Sequence, residues 1–194
     1  MDFKLFFALV AVATMIAAIV PYVIDTFQGK TKPHLYTWLI WSVTGCIVTA
    51  GYMYGQGGYP VVTSAIGTVF CIFVFIISFK YGTRNITASD TVALLVAGVA
   101  VFMWIGLNNP LLSILLGVSI DLIGYWPTFR KTYIEPWSES LVSWALWIAT
   151  PLFSVLALSS YNIYTLAGAL PICAINIAFL VFCLLRRRAV PKPV

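Results

Sequence analysis

The chain contains one tryptophan-rich segment twice. Residues 21–41, PYVIDTFQGKTKPHLYTWLIW, align without a gap on residues 127–147, PTFRKTYIEPWSESLVSWALW, at a constant shift of 106 positions. The identical pairs in and next to this alignment are Pro21/Pro127, Thr26/Thr132, Leu35/Leu141, Trp38/Trp144, Trp41/Trp147 and Thr44/Thr150. Tryptophan is a rare residue, so two pairs at W-x-x-W spacing in one register indicate an internal duplication.

The composition predicts an all-α integral membrane protein. Hydrophobic residues make up 61% of the chain and charged residues 9%, whereas about 25% of the residues in a soluble domain are charged. Seven apolar segments are long enough, or nearly so, to cross a hydrocarbon core that requires about 20 helical residues. The predicted spans are 5–27, 35–54, 60–80, 91–107, 110–132, 141–159 and 163–185. The apolar runs are continuous, which favours helices over a β-barrel.

The basic residues predict the orientation of these spans. Of the 11 lysines and arginines, all but Lys4 fall on one side of a seven-span arrangement. They are Lys30, Lys32, Lys80, Arg84, Arg130, Lys131, Arg186, Arg187, Arg188 and Lys192. Such an asymmetry over short loops marks the cytosolic side, so the N-terminus is predicted outside and the C-terminus inside. The net charge of +5 is then a consequence of membrane topology, and nucleic-acid binding is not predicted.

The duplication also predicts how the spans are grouped. Three spans per repeat would leave the second copy upside down, and one additional span restores its orientation. We therefore expect two parallel three-helix repeats, 1–80 and 110–188, joined by a linker helix within 81–109 and followed by a cytosolic tail, 189–194. The linker is expected to end in a turn at Asn108 and Asn109.

Two polar residues are predicted to lie near the middle of the bilayer. Asp121 is the one acidic residue deep in a span, about 16 Å from its outer end, and the repeat places Met15 at the equivalent position. Asn176 lies ~20 Å along the last span. A carboxylate at such a depth is costly unless it is protonated, paired or hydrated, so a functional site is the first interpretation. The alternative for both residues is a hydrogen bond that only joins neighbouring helices.

Two other features receive simpler interpretations. His34 lies between two spans, so we expect a solvated loop residue rather than a proton relay. Trp38 and Trp41 begin the second span, and we interpret them chiefly as part of the aromatic belt at the headgroup level.

The first copy of the segment resembles the PQ-loop motif of the SWEET sugar carriers and the PQ-loop amino-acid exporters. Pro21, Lys30, Thr31 and Leu35 occupy the motif's Pro, Lys, Ser and Leu positions. The chain departs from the motif where Tyr22 and Thr128 replace its Gln, and where Pro136-Trp137 replaces Lys-Ser in the second copy. The resemblance implies a seven-helix transporter fold with the N-terminus outside.

The same resemblance implies roles for several positions. The family's gating prolines correspond to Pro21, Pro127 and Pro151, with Gly45 at the fourth position. Its sugar-contacting Asn corresponds to Asn176, and its pocket Trp positions hold Ser160 and Tyr54. Together with Asp121, which its depth in the span singles out, the predicted substrate site is lined by Asn176, Ser160 and Tyr54.

These observations predict a carrier for a small solute in the cell membrane. Alternating access would rock the two repeats about Pro21 and Pro127, and Asp121 would be the titrating group if transport is proton-coupled. A seven-helix sorting receptor is one alternative, with Arg186–Arg188 as its candidate cytosolic motif. A nicotinamide-riboside-type vitamin permease is another; those permeases have the opposite orientation.

An enzyme is not predicted. One histidine and one deep aspartate cannot build a hydrolase or a metal centre, and the sequence has no phosphate-binding loop. No cofactor and no metal are therefore expected. The expected partners are the solute and the lipid bilayer, with self-association left open.

Overall fold

Seven α helices make up the fold. The structure is a computed structural model that describes residues 2–106 and 109–192. The helices are α1 (Phe3–Phe27), α2 (Leu35–Tyr54), α3 (Pro60–Tyr81), α4 (Ala88–Ile105), α5 (Pro110–Ile134), α6 (Leu141–Leu156) and α7 (Ile163–Ala189), with a 3-10 turn at Pro136–Ser138. Each predicted span coincides with a helix to within a few residues. The predicted turn after α4 is partly untested, because Asn108 lies outside the described residues.

Polar residues set the helix ends. The Asp2 carboxylate accepts a hydrogen bond from the Lys4 amide at the start of α1. Asn162 and Thr165 form a reciprocal capping box at the start of α7. These side chains satisfy amides that have no partner within the helix, which fixes where each helix begins.

Three helices, α1, α3 and α7, are long and apolar enough to cross a membrane. α4 and α6 contain shorter apolar stretches of 10 to 17 residues. α2 (20 residues) and α5 (25 residues) carry buried polar side chains, among them Thr44 on α2 and Asp121 on α5. The fold thus fits a transmembrane protein.

The helices pack around a centre formed by α2 and α5. α1 packs mainly against α6, and α2 packs against both α3 and α5. α7 packs against α5 and α6, while α4 lies against α5. Each of α2 and α5 is therefore covered by several neighbours, and the space between them is where the deepest polar residues lie.

The loops meet at two ends of the bundle. At the end that we call the basic end, the α1–α2, α3–α4 and α5–α6 loops meet the C-terminal part of α7. The Thr83 amide donates to the Pro33 carbonyl (3.0 Å) and the Lys32 amide to the Ser138 carbonyl (3.2 Å). At the opposite end, the Ser159 amide donates to the Gly57 carbonyl (3.2 Å).

Candidate functional site

A central cavity of about 220 Å³ lies between the helices. Side chains of α1, α2, α3, α5, α6 and α7 line it. Both Asp121 and Asn176 are among them. The other polar lining residues are Tyr52, Thr63, Ser64, Thr68, Tyr125, Thr150 and Ser154. The cavity thus joins the two deep polar groups to a set of hydroxyl groups.

Asp121 is held in the cavity wall by α2. Its side chain is buried, and Oδ1 accepts a hydrogen bond from Thr44 Oγ1 at 2.6 Å. One helical turn earlier on α2, Trp41 Nε1 donates to the Asp121 backbone carbonyl at 3.2 Å. Two hydrogen bonds from one helix fix the depth and direction of the carboxyl group, as a preorganised site requires.

Asn176 is bound on both sides of its amide. Oδ1 accepts a hydrogen bond from the Tyr125 hydroxyl at 2.7 Å, and Nδ2 donates to the Trp147 carbonyl at 3.2 Å. These bonds join α7 to α5 and α6, which is the interhelical role that the sequence left open. An amide has two donor hydrogens and two acceptor lone pairs, so each side keeps one site for a solute.

Four tryptophans form a nearly symmetric cluster at one end of the cavity. Trp38 and Trp41 have ring centroids 5.1 Å apart at 83°, and Trp144 and Trp147 are 5.0 Å apart at 87°. Across the two helices, the centroid distances are 6.1 Å for Trp38–Trp147 and 6.2 Å for Trp41–Trp144. We call this group the tryptophan cluster. Edge-to-face pairs of this kind stabilise a packed core.

Two more rings complete the cluster. The ring centroid of Tyr22 lies 5.3 Å from that of Trp38 and 5.1 Å from that of Trp147. The ring centroid of Phe70 lies 5.4 Å from that of Trp38. The residues that line the cavity from α2 and α6 begin at Trp38 and Trp144 and continue away from the basic end. The cluster therefore separates the cavity from the loops of the basic end.

The aromatic-belt interpretation of these tryptophans is wrong. Trp38 is 3% exposed and Trp41 8% exposed, so both point into the protein rather than to its periphery. A position at the start of a span is compatible with either direction, and only the packing of α2 against its neighbours distinguishes them.

Ser160 and Tyr54 are not brought to this cavity. Ser160 lies beyond the end of α6, in the loop to α7, where its hydroxyl accepts a hydrogen bond from Asn162 Nδ2 at 2.9 Å. Tyr54 is 58% exposed at the last residue of α2 and packs against Tyr164. Both therefore lie at the end opposite to the basic end, away from Asp121 and Asn176.

The four predicted hinge residues divide into two pairs. Gly45 and Pro151 line the cavity, on α2 and α6. Pro21 and Pro127 lie inside α1 and α5, where a missing amide leaves a carbonyl of the preceding turn without its helical hydrogen bond. All four thus lie in helices that enclose the cavity.

A second polar cluster lies at the basic end and was not predicted. Arg130 binds the buried Asp90 carboxylate through two hydrogen bonds, Nε to Oδ1 at 2.7 Å and Nη2 to Oδ2 at 2.6 Å. Asp90 also accepts a hydrogen bond from the Thr87 amide at 2.8 Å, which caps α4. The position of Asp90 in the first turn of α4, three residues after Thr87, is the signal in the sequence that could have indicated a capping role.

His34 belongs to this cluster, and its prediction as a solvated residue is wrong. Its side chain is buried, and Nε2 lies 3.3 Å from Asp90 Oδ2. Burial lowers the pKa of the His34 imidazole from 6.5 to about 4, which outweighs the opposing effect of the Asp90 carboxylate. A neutral ring that donates from Nε2 to Asp90 fits this geometry.

The two copies of the repeated segment meet at the basic end through a buried lysine. Lys131 is fully buried and forms an ion pair with Glu139. Its Nζ also donates to the Lys32 carbonyl at 2.8 Å, so it bridges the α5–α6 and α1–α2 loops. Glu139 accepts a further hydrogen bond from Trp144 Nε1 at 2.9 Å. The basic-end contacts are thereby coupled to the tryptophan cluster.

Comparisons of the chain with protein-family models, curated proteins and solved structures find no match. Within residues 2–106 and 109–192, no group of three or more His, Cys, Asp or Glu side chains is arranged to hold a metal ion. The geometry of the central cavity is therefore the observation that bears most directly on function.

Proposed function

We propose that this protein is a membrane transporter that carries a small solute through the central cavity. The proposal rests on one observation: Asp121 and Asn176 line the same cavity, deep within a helical bundle of apolar composition. Polar groups at this depth are costly unless they serve a pathway, a pair or a solute. The cavity volume of about 220 Å³ is smaller than the roughly 300–1,000 Å³ of sites that bind drug-sized ligands, which favours a small solute.

The packing supports a duplicated transporter architecture with a 3+1+3 plan. Under the shift that aligns the two segments, α1, α2 and α3 correspond to α5, α6 and α7. The contact of α1 with α6 then corresponds to that of α5 with α2, and the contact of α2 with α3 to that of α6 with α7. The matched distances within the tryptophan cluster follow the same pseudo-two-fold relation.

Alternating access would require one end of the bundle to open while the other stays closed. The Lys131–Lys32 and Lys32–Ser138 hydrogen bonds join equivalent loops of the two copies at the basic end. At the other end, Asn162 Nδ2 donates to the Gly55 carbonyl at 3.0 Å, which again joins equivalent loops. We infer that these two sets of hydrogen bonds between loops are the gates of the cavity, with Pro21 and Pro127 as hinges.

The orientation is a separate part of the proposal. We place the basic end in the cytosol and the N-terminus outside, in a multi-pass protein of the cell membrane. Single cysteines at Gln56 and at Lys30, which are both exposed, in a background without Cys46, Cys71, Cys173 and Cys183, can be labelled in intact cells with an impermeant maleimide. Labelling at position 56 alone supports the orientation, whereas labelling at position 30 alone supports the vitamin-permease alternative.

The receptor alternative receives less support from the basic end. Arg186 donates to the Tyr133 carbonyl at 2.7 Å, and Arg187 donates to the Glu139 carbonyl at 2.6 Å. Both guanidinium groups also lie over aromatic rings, those of Tyr133 and Trp137. Two of the three arginines in the candidate motif are thus engaged within the protein.

The proposal is tested by thermal stabilisation of the purified protein in detergent against a library of sugars, amino acids, nucleosides and amines. A stabilising compound whose effect is lost in both Asn176→Ala and Asp121→Asn supports a solute site in the cavity. Ser160→Ala is the matched control, because Ser160 lies outside the cavity, and it should keep the effect. A well-folded protein that no compound stabilises would contradict the proposal.

A further inference from the structure

The charge of the cavity wall has one sign. Asp121 is the one residue with a formal charge among the described side chains that line the cavity. Lys131, Arg130 and the other buried basic groups lie at the basic end, beyond the tryptophan cluster. A solute in the cavity therefore meets a carboxyl group and no compensating cation. This arrangement disfavours anions and favours a solute that brings its own positive charge.

Aromatic residues line the cavity beside Asp121. Trp41 donates to the backbone carbonyl of Asp121, and Tyr125 follows Asp121 by one helical turn on α5. The Trp41 and Tyr125 ring centroids are 4.6 Å apart, and the Trp41 and Trp144 centroids 6.2 Å apart. All three residues line the cavity. Ring faces attract cations, most strongly when water is excluded, and aromatic cages bind quaternary ammonium groups in this way.

The remaining lining groups are neutral and mostly apolar, with several hydroxyl groups among them. Thr63, Ser64 and Thr68 of α3 line the wall. The Ser64 and Thr68 hydroxyls bond to Thr49, at 2.7 Å and 3.3 Å. Among the described residues, Thr63 Oγ1 is a buried hydroxyl that has no hydrogen-bond partner. A solute with a positively charged group at one end and a short polar group at the other would match both Asp121 and the hydroxyl groups of α3.

We propose that the solute is a small organic cation whose ammonium group lies between the Asp121 carboxylate and the rings of Trp41, Tyr125 and Trp144. This inference rests on the proposed transport function and names its substrate class. The carboxylate supplies the charge and the rings replace the water that the ammonium group loses on entry. A bare sodium or potassium ion lacks the apolar surface that these rings contact.

Isosteric probes separate charge from shape. Choline and 3,3-dimethylbutan-1-ol have nearly the same shape and hydroxyl group, but only choline is charged. Binding is measured in detergent at constant ionic strength by thermal stabilisation and by intrinsic tryptophan fluorescence, with tetramethylammonium, ethanolamine, sodium and glucose as further probes. We expect at least one of the organic cations to bind at least tenfold more tightly than the neutral isostere, glucose or sodium.

Variants then assign the binding to the cavity. Asp121→Asn keeps the size of the side chain and should weaken binding of the cation at least tenfold, whereas Ser160→Ala should leave it unchanged. Trp41→Phe keeps a ring and should weaken binding less than Trp41→Leu. If Asp121→Asn or Trp41→Leu does not fold, the comparison of charged and neutral probes in the unmodified protein still decides the proposal.

Two results would overturn the inference: no organic cation that binds more tightly than 3,3-dimethylbutan-1-ol, or unchanged cation binding in folded Asp121→Asn. Flux in proteoliposomes separates this inference from the transport function on which it rests. Binding of the cation without flux would contradict transport but keep the cation site. Flux of a neutral solute without cation binding would contradict the cation site but keep transport.

Discussion

Thr44 Oγ1 donates a hydrogen bond to Asp121 Oδ1 at 2.6 Å, and this bond joins α2 to α5 at the wall of the cavity. The Trp41 indole makes a second bond between the same helices at the adjacent level. The acidic group that defines the site is thus held by residues of the duplicated segment and its flank, so the cavity and the helix packing depend on one another.

Replacing Thr44 should destabilise the protein through Asp121. Thr44→Val keeps the shape of the side chain but removes the donor, which leaves a buried carboxyl group short of a partner at a cost of about 1–3 kcal/mol. Thr150→Val is the matched control at the equivalent position, where the hydroxyl contacts Thr14 and a helix carbonyl. Thermal midpoints in detergent measure both variants, and an equal loss in the two would contradict the special role of Thr44.

The Arg130–Asp90 pair should contribute strongly to stability. Arg130→Ala leaves the buried Asp90 carboxylate without its two guanidinium hydrogen bonds, and breaking a buried pair from one side costs roughly 3–5 kcal/mol. Arg84→Ala, which removes an exposed arginine of the α3–α4 loop, should change stability by less than about 0.5 kcal/mol. Unfolding in detergent by heat or denaturant compares them. Similar losses in both variants would exclude the buried pair as the cause.

Acid should destabilise the protein through His34. The pKa of His34 in the folded protein is about 4, below its ordinary value of 6.5, so the unfolded chain binds the proton more tightly. Stability from this group is present above pH 6.5 and is lost as the pH falls towards 4. At about pH 5 the loss should be about 2 kcal/mol, and His34→Gln should show a correspondingly flatter pH profile. Parallel profiles for the two proteins would refute this assignment.

Gly124 permits the close approach of α2 and α5. A Cβ atom at this position would lie 2.9 Å from both Ile40 Cγ2 and Trp41 Nε1. Gly124→Ala should therefore displace Trp41 and cost about 1–3 kcal/mol through overpacking. Gly98 has no neighbour within 4 Å of such an atom, so Gly98→Ala should be neutral or stabilising by up to about 1 kcal/mol. Thermal midpoints in detergent test the pair, and a tolerated Gly124→Ala would show that the helices can separate without loss.

The sequence predicted the helices well, and it singled out Asp121 and Asn176, which both line the cavity. Long apolar runs, with polar caps such as Asn162, leave little freedom in where a helix begins. Asp121 and Asn176 stood out because polar groups are rare in such runs. Their direction relative to the cavity was not predictable from depth alone, since it depends on how each helix is rotated against its neighbours.

The residues whose positions differ from expectation share a physical cause. Ser160 was assigned from the resemblance, about sixteen residues before Asn176, and that interval includes the loop that follows the end of α6 at Leu156. Tyr54 ends α2, where the side chain points away from the bundle centre. His34 and the tryptophans were interpreted from their distance to the membrane edge, although contacts with residues far along the chain, such as Asp90 and Trp144, decide their burial.

Solute flux is the most direct test of the transport function. The purified protein is reconstituted in proteoliposomes, and uptake of the most stabilising compound of the thermal screen is followed over time and concentration. We predict saturable uptake that falls at least tenfold in Asp121→Asn and Asn176→Ala and is retained in Ser119→Ala, which removes an exposed hydroxyl of α5 outside the cavity. Uptake no faster than in protein-free liposomes, from a folded protein that binds the compound, would contradict the transporter proposal.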